Sequence, residues 1–577
     1  MLRRSFIKCA LAGTASISGG SAVHASENPV IESYRKIIRE SMSRNRLTGA
    51  SAVLVQANGE VWSEGFGYAD RDNNLAMTSD TLVSVGSVTK TFTALALMQL
   101  RADGLLDIDR PVTDYVPRLR IDTRGADLNL VTVRAIMNHT SGLPTDVFKD
   151  TGLEDASYID VVNLLNDTAL AAWPQTIGLY SNIGYSLLGN VIQNVSGRAY
   201  PGYVKERILT PLGMQRSGFI TDPSLGPRAR LYYQDGRPTP SLELRDQPAG
   251  GLYSCADDLA HYALALMQVW QGKSNPVIDV KSVQAMFRLS NQDIMVESNK
   301  KGLGWFMFKE GNAFAMYHAG STGFANASLL LMPQIGIAAA ILINSVGGNA
   351  LASEFAFRVL EDHGLNPASI RPASHLPSPA PKAIEVSVPA SVLARHVGDY
   401  PRKRSFAGVT FEHNELLLHE PDGTHRLQPM SDGSFLPYPT EGAPSPAKSG
   451  ERYRFADVGP YHVLFVQSKE EGDYQAGYRI TTSPLTDVWR MRVGRYDQFG
   501  YQIPGAEQIL SCEIEILEER LVSMKLAYNT GIYTYTLVID GPGRAFTGGL
   551  GPETTGELVR FTDEGVMIYS GLTFRKD

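Results

Sequence analysis

The sequence predicts a large unit of mixed helices and strands, followed by one or two all-β domains. Residues 29–365 alternate amphipathic helical stretches with β-like runs such as ASLLLMPQIGIAAAILIN, which is typical of a single mixed helix-and-strand unit. Residues 366–390 concentrate prolines without apolar periodicity and read as a semi-rigid linker. The remainder consists of short alternating runs between turn residues, which favours antiparallel barrels or sandwiches.

A short repeat divides the all-β region. HVGDYPRK at His396 and RVGRYDQFGY at Arg492 resemble one opening strand used twice, about 100 residues apart. A chain of 577 residues also exceeds one ordinary core. The predicted domains are therefore 26–365, the linker 366–390, and two β-barrel domains at 391–485 and 486–577.

Residues 1–25 have the layout of a cleavable export signal, with a basic start, a short apolar middle and a small-residue exit at 23–25. Residues 3–8, RRSFIK, resemble the twin-arginine consensus. The segment is too short and too polar for a membrane anchor. We therefore expect a periplasmic or secreted protein, whose net charge changes from −7 to −10 when the three cations of this segment are removed.

Composition limits the partners. An acidic chain without a basic patch argues against binding to nucleic acid or an anionic membrane. Cys255 and Cys512 are expected to be two buried free thiols, with a bridge between domains as the alternative. The histidines and cysteines show no metal-ligand spacing, and no phosphate-binding glycine loop is present. We predict no metal and no cofactor, and a small molecule or short peptide as substrate; cell-wall fragments are a further candidate partner.

The helix predicted within residues 81–100 carries an unusual cation in its first turn. A serine that caps a helix is normally followed three residues later by Glu or Gln, but Ser87 is followed by Lys90. A cation near the positive end of a helix dipole costs roughly 0.3–1 kcal/mol. Ser and Lys at this spacing share one helix face, where an amine can take the serine's proton. Four other Ser-x-x-Lys matches are interpreted as accidental: Ser5/Lys8, Ser33/Lys36, Ser298/Lys301 and Ser445/Lys448.

Two further motifs follow Ser87 in order. Tyr180-Ser181-Asn182 precedes an amphipathic helix, and His318-Ala319-Gly320 begins a β run. Together with Ser-x-x-Lys, this series resembles the serine β-lactamase and penicillin-binding-protein family. Flanking phrases such as TVRAIMNHTSGLP and PAGGLYSCADDLAHY strengthen the resemblance, which covers roughly residues 30–365 and is nearest to the class C-like branch.

The resemblance implies an α+β fold: an antiparallel sheet flanked by helices plus a helical subdomain, followed by antiparallel, lipocalin-like barrels. It implies that Ser87 is the acylated nucleophile and Lys90 its proton acceptor. Tyr180 would pass a proton to the leaving group, and Asn182 would hold the acyl-side amide or orient Lys90. The backbone N–H groups of Ser87 and Ser321 would form the oxyanion hole.

His318 departs from the usual pattern, because β-lactamases and DD-carboxypeptidases usually carry lysine there. With an unperturbed pKa of about 6.5, histidine is mostly neutral at pH 7, which argues against efficient antibiotic hydrolysis. His318, Gly320 and Ser321 are predicted to contact substrate, and His-x-Gly resembles the D-aminopeptidase and esterase branches. The leading prediction is a D-aminopeptidase-like serine hydrolase. The alternatives are a carboxyl esterase, a β-lactamase, a DD-carboxypeptidase or a non-catalytic binder of cell-wall fragments.

In D-aminopeptidases a barrel loop limits access to the active site, and this chain resembles them in layout. The candidate loops are residues 540–543 and 547–557, where Asp540 or Glu553 could meet a substrate ammonium group. His139, beside Thr140, Ser141 and Gly142, is predicted to be structural because its neighbours read as a turn.

Overall fold

The computed structural model describes most of the chain beyond residue 28. The described residues are 29–56, 59, 61–149, 156–240, 244–294, 296, 299–370, 383–401, 406–420, 423–440, 451–468, 472–480, 484–500, 509–517, 519–528, 531–550 and 555–577. The predicted export signal and much of the predicted linker lie outside these ranges. Within them, no helix combines the length and the apolar character needed to cross a membrane.

Twelve α-helices are found in the described residues, and most belong to the first 365 residues. Helix α5 shows how the sequence sets its ends: the Ser181 hydroxyl accepts the Gly184 N–H at the start, and Gly197 ends it with φ of 70°. The helices are α1 Pro29–Asn45, α2 Thr89–Ala102, α3 Val133–Met137, α4 Val161–Asn166, α5 Asn182–Ser196, α6 Tyr200–Val204, α7 Gln247–Gly250, α8 Ala256–Trp270, α9 Val280–Met286, α10 Asn349–Asp362, α11 Ala390–Leu393 and α12 Asp487–Met491.

Ten strands are found in the described residues before the linker. They are β1 Gly49–Gln56, β2 Val61–Asp70, β3 Leu75–Ala76, β4 Val83–Ser84, β5 Gly218–Phe219, β6 Leu252–Ser254, β7 Phe306–Glu310, β8 Ala313–Ser321, β9 Asn326–Met332 and β10 Ile337–Ile343. Seven form an antiparallel sheet in the order β3-β2-β1-β10-β9-β8-β7, and β4-β6-β5 form a small second sheet.

The seven-stranded sheet is covered on both faces. Helices α1 and α10 pack on one face, where the Tyr34 and Phe355 rings meet at 5.7 Å. Helices α8 and α2 belong to the larger core on the other face, and α2 is buried from Thr89 to Leu100. Burial on both faces explains why β9 and β10 read as continuous apolar runs. The α+β class with helices flanking an antiparallel sheet is confirmed.

Two eight-stranded antiparallel sheets follow the linker. The first contains β11 Gly398–Pro401, β12 Phe406–Glu412, β13 Glu415–Glu420, β14 Gly423–Pro429, β15 Phe435–Pro439, β16 Arg452–Val458, β17 Tyr461–Ser468 and β18 Gly472–Tyr478. The second is a closed barrel of β19 Gly494–Phe499, β20 Ile509–Leu517, β21 Leu521–Tyr528, β22 Gly531–Ile539, β23 Arg544–Thr547, β24 Leu558–Phe561, β25 Met567–Tyr569 and β26 Leu572–Lys576. We call them the first and the second barrel; in the first, the Ile480 N–H donates to the Asp399 carbonyl at 2.8 Å and links its two ends.

The repeat seen in the sequence has a structural counterpart. The Tyr400 hydroxyl donates to the His396 carbonyl at 2.7 Å, and the Tyr496 hydroxyl donates to the Arg492 carbonyl at 2.9 Å. Both barrels therefore open with the same tyrosine closing a four-residue turn. Cys255 and Cys512 are both buried and free, so the predicted pair of buried thiols is confirmed.

Candidate active site

Ser87 lies in the tight turn Gly86–Val88 that leads into α2. The helix proper begins at Thr89, whose hydroxyl donates to the Gly86 carbonyl at 2.7 Å, and the Ser87 side chain is half-buried. Instead of capping the helix, the Ser87 hydroxyl lies 3.0 Å from Lys90 Nζ. The two residues that the sequence paired are therefore in hydrogen-bonding contact.

Lys90 is fully buried, but its amine has polar partners besides Ser87. Its Nζ donates to Asn182 Oδ1 at 2.6 Å and to the Ala249 carbonyl at 2.8 Å. Burial lowers its pKa from 10.5 to about 7, although the charges of Asp146 and Asp246 act in the opposite direction. Near neutral pH a large fraction of Lys90 is thus unprotonated and able to accept a proton from Ser87.

Tyr180 forms one wall beside Lys90. Lys90 Nζ lies 4.9 Å from the centre of the Tyr180 ring, which stacks between His139 at 4.2 Å and Phe306 at 6.2 Å. His139 has a positive φ of 61°, and its Nδ1 accepts the Ser181 N–H at 3.1 Å. His139 therefore holds the turn that presents Tyr180.

Strand β8 approaches the Ser87 turn very closely. A Cβ on Gly320 would lie 1.9 Å from the Val85 carbonyl oxygen and 3.1 Å from the Ser87 nitrogen, while a Cβ on Gly86 would lie 2.6 Å from the Ser321 nitrogen. Only glycine fits at either position. This approach brings the segment that contains the Ser321 nitrogen against the turn that contains the Ser87 nitrogen, and two such N–H groups are the donors that an oxyanion hole requires.

His318 is buried on the same strand. Its Nδ1 is 2.6 Å from the Ala319 carbonyl oxygen, and its ring lies 5.2 Å from that of Phe306. Burial and the neighbouring Lys90 lower its pKa from 6.5 to about 3. His318 is consequently uncharged at physiological pH and provides no fixed cation for a substrate carboxylate.

A group of carboxyls that the sequence did not reveal surrounds the Asn182 side of the site. Asn182 Nδ2 donates to Asp146 Oδ2 at 3.2 Å. Burial, then the charges of Asp246 and Glu557, raises the pKa of Asp146 to about 8. Asp246 also forms an ion pair with the buried Arg245 at 2.8 Å. Asp146 thus joins the Ser87 site to a second acidic residue from the far end of the chain.

That residue, Glu557, comes from the second barrel. Its side chain is 4% exposed, and burial raises its pKa to about 7, although hydrogen bonds from Thr145 and the Asp146 backbone favour the charged form. Ser570, also in the second barrel, binds the segment that carries Asp146. Its hydroxyl donates to the Asp146 carbonyl at 2.9 Å, and its carbonyl accepts the Phe148 N–H at 2.7 Å. The second barrel therefore completes one side of the site.

Of the two acids predicted to gate the site, Asp540 falls within the described residues. Asp540 is half exposed and lies 3.4 Å from Arg544, which also pairs with Asp122 at 2.6 Å on the catalytic domain. Glu553 lies outside the described residues. Among the described residues of the predicted loop 547–557, Glu557 contacts the segment beside Asn182. The described part of the chain contains no group of three potential metal ligands.

Comparisons with known proteins agree with this geometry. Residues 34–362, more than half of the chain, match the family model described as Beta-lactamase. Protein flp of Staphylococcus aureus (strain N315) is 27% identical over 341 residues, which cover 56% of this chain and 64% of flp. The match thus spans less than two thirds of that relative's length.

Two solved structures share the fold. The crystal structure of SurE with D-Leu has a TM-score of 0.54 and 24% identity, and the alignment covers 77% of this chain and 99% of SurE. The octameric penicillin-binding protein homologue from Pyrococcus abyssi has a TM-score of 0.50 and 22% identity, with 87% of this chain and 99% of the homologue covered. Both alignments extend beyond the catalytic domain. On the match of its first large domain, the chain belongs to the Beta-lactamase family.

Proposed function

We propose that the protein is a serine hydrolase that forms an acyl-enzyme at Ser87 and cleaves short D-amino-acid peptides or amides with a free amino end. The observation that carries the proposal is the buried Lys90, whose pKa is lowered to about 7 and whose Nζ lies 3.0 Å from the Ser87 hydroxyl. A serine needs a proton acceptor to become nucleophilic, and a lysine with this pKa is suited to the task.

The proposed reaction has two stages. In acylation, Lys90 accepts the Ser87 proton while Oγ attacks the substrate carbonyl, and the N–H groups of Ser87 and Ser321 stabilise the oxyanion. Loss of one such donor costs about 3–4 kcal/mol in the barrier. Tyr180, against which Lys90 packs, passes a proton to the leaving amine. The proton held by Lys90 then restores Tyr180. Water attacks the ester carbonyl and gives a proton to Ser87 Oγ as the acid is released.

The acyl side of the site supports a substrate with an ammonium group. Asp146 is hydrogen bonded to Asn182, and Glu557 adds a second buried carboxyl beside it. Both pKa values are raised, so a bound ammonium would lower them and form a charge-assisted hydrogen bond. The neutral His318 argues against β-lactamase or DD-carboxypeptidase activity, because those enzymes bind a substrate carboxylate at this position.

The first experiment compares three substrates on the protein without residues 1–25: D-alanine p-nitroanilide, its N-acetyl form and p-nitrophenyl acetate. We expect the free-amine anilide to be hydrolysed and the acetylated one to be refused. Ser87→Ala should reduce kcat by about 10⁴-fold or more, as for other serine hydrolases. Ser33→Ala is the matched control, because Ser33 and Lys36 have the same spacing on α1 but Lys36 is 73% exposed.

The outcomes separate the alternatives. Hydrolysis of the ester alone would favour an esterase, and retained hydrolysis in Ser87→Ala would refute the nucleophile. A serine-directed phosphonate should add its mass to the peptide that contains Ser87. Absence of both labelling and turnover would favour a non-catalytic binder of cell-wall fragments.

A further inference from the structure

A cavity of about 230 Å³ lies between the catalytic domain and the second barrel, next to the Ser87 site. Asp146 lines it and at the same time accepts the hydrogen bond from Asn182, so this one residue links the cavity to the acyl side of the site. Its volume is below the roughly 300–1,000 Å³ of pockets for drug-sized ligands. It is therefore suited to a single side chain rather than to an extended peptide.

One end of the cavity is acidic and has unused hydrogen-bonding capacity. Glu557 lines it and is 96% buried, given its exposed fraction of 4%. Tyr569 and Thr145 are hydrogen-bonding neighbours of this carboxylate, but its Oε1 makes no hydrogen bond of good geometry with the described residues. A buried carboxylate oxygen without a partner is costly, and Glu557 shares the lining of the cavity with Asp146. These two carboxyls are the proposed ammonium site.

Two cations line the same cavity. Arg560 is half-buried on β24, where the barrel interior is filled by its neighbours Val559 and Phe561. Because side chains alternate along a strand, Arg560 lies on the outer face, towards the catalytic domain. Lys149 lines the cavity from that domain. Within the described ranges, neither Arg560 nor Lys149 forms an ion pair.

The charges that line the cavity are nearly balanced. Asp146, Glu557 and the exposed Asp167 face Lys149 and Arg560, and the raised pKa values of Asp146 and Glu557 reduce the negative excess near pH 7. A purely cationic or purely anionic group would leave one set of charges without a counterpart. A group with both charges satisfies both sets.

We propose that this cavity binds the side chain of the acyl residue and that this side chain ends in a carboxylate. The substrate class is then a peptide or amide with an amino-terminal acidic D-residue: its ammonium group meets Asp146 and Glu557, and its side-chain carboxylate meets Arg560 and Lys149. The D-configuration and the ammonium contact rest on the proposed function, whereas the carboxylate contact is independent of turnover.

The test measures binding to Ser87→Ala, in which hydrolysis is blocked. The probes are the α-anilides of D-glutamate and D-glutamine, which have nearly the same shape and differ in charge. We expect the D-glutamate anilide to bind at least about 10-fold more tightly by calorimetry, a difference of about 1.4 kcal/mol. Arg560→Gln in the same background should reduce the preference to less than about 2-fold, since the charge-assisted contact is lost.

The control removes a cation from the same barrel that does not line the cavity. Arg575→Gln, on β26, loses a side chain that packs 4.4 Å from the Phe499 ring and should keep the full preference. Equal binding of the two anilides, or a preference that survives Arg560→Gln, would overturn the proposal. A preference that depends on Arg560 in a protein that hydrolyses no anilide would uphold the cavity assignment and refute the proposed function. Hydrolysis of D-alanine p-nitroanilide without a preference for the D-glutamate anilide would uphold the proposed function and refute the cavity assignment.

Discussion

The two barrels share an architecture but differ in what they bring to the catalytic domain. Each has eight antiparallel strands and opens with the same tyrosine turn. The first barrel contacts the catalytic domain away from the carboxyl pair, for example where the Trp173 N–H donates to the Tyr461 hydroxyl at 3.1 Å. The second barrel inserts Glu557 beside Asp146. A common scaffold can therefore serve as packing in one copy and as part of a site in the other.

The largest difference is expected from a matched pair of glycine substitutions. Gly571 of the second barrel and Gly459 of the first both have a positive φ, of 79° and 55°. An added Cβ would lie 2.9 Å from Val147 Cγ1 and Lys149 Cβ at Gly571, and 2.8 Å from Thr176 Cγ2 at Gly459. Gly571→Ala should lower kcat/KM by about 10- to 100-fold, because it displaces the segment that carries Asp146 and small misplacements are costly.

Gly459→Ala should change kcat/KM by less than about 3-fold, because its added Cβ meets the side chain of Thr176 and not the segment that carries Asp146. An alanine in the left-handed conformation costs about 1–2 kcal/mol. Both variants should therefore lose a similar free energy of unfolding, which thermal unfolding measures. Equal losses of activity in the two variants would contradict the difference between the barrels.

The next difference concerns pH. Lys90 must lose a proton to act as a base, and its pKa is about 7, so kcat/KM for p-nitrophenyl acetate should rise with pH from 5 to 7 with a logarithmic slope near one. For D-alanine p-nitroanilide the slope should be steeper, because ionisation of Asp146 and Glu557, with pKa values of about 8 and 7, also strengthens binding of the ammonium.

Glu557→Gln should reduce the slope for the anilide and leave the slope for the ester unchanged. Asp457→Asn is the counterpart in the first barrel, where that carboxylate bonds to His462 at 2.6 Å, and it should alter neither slope. Identical slopes for the two substrates in the unsubstituted protein would contradict a role for the carboxyl pair.

The smallest effects are expected at the rim of each interface. Arg544→Ala removes the ion pair with Asp122, in which the two side chains are 40% and 42% exposed, and such exposed pairs contribute about 0–1 kcal/mol. Tyr461→Phe removes one neutral hydrogen bond on the first barrel, which contributes about 0.5–1.5 kcal/mol. Both variants should keep kcat/KM within about 2-fold, and a larger loss in Arg544→Ala would assign this rim a catalytic role.

The part of the site that could be predicted was local in sequence. Ser87 and Lys90 are three residues apart on one turn, and Tyr180 and Asn182 flank a helix start, so spacing indicates which side chains share a surface within each motif. That the two motifs meet was predicted from the resemblance to the serine β-lactamase family. Asp146 and Glu557 were missed because 411 residues separate them. Their proximity depends on how the second barrel docks, and nothing in local periodicity encodes that contact.

The loop 547–557 shows the same limit. Its glycines and acids marked it as a candidate, and the prediction named Asp540 of the neighbouring loop or Glu553. Glu553 lies outside the described residues, and Glu557, which was not named, is found next to Asp146. The signal available in the sequence was that Glu557 directly precedes the β24 run LVRF, where a strand end fixes a side chain better than a loop tip does. Fold class was easier, because continuous apolar runs and turn spacing reflect the chain's own periodicity.

The most direct test of a site shared by two domains is a double-mutant cycle of Asp146→Asn and Glu557→Gln, measured as kcat/KM for D-alanine p-nitroanilide. If both carboxyls serve one ammonium group, the double variant should lose much less than the sum of the single losses, with an interaction energy of about 0.5–3 kcal/mol. The cycle on p-nitrophenyl acetate should show no such coupling. Additivity for the anilide to within about 0.3–0.5 kcal/mol would mean that the two residues act separately, and it would contradict the shared site.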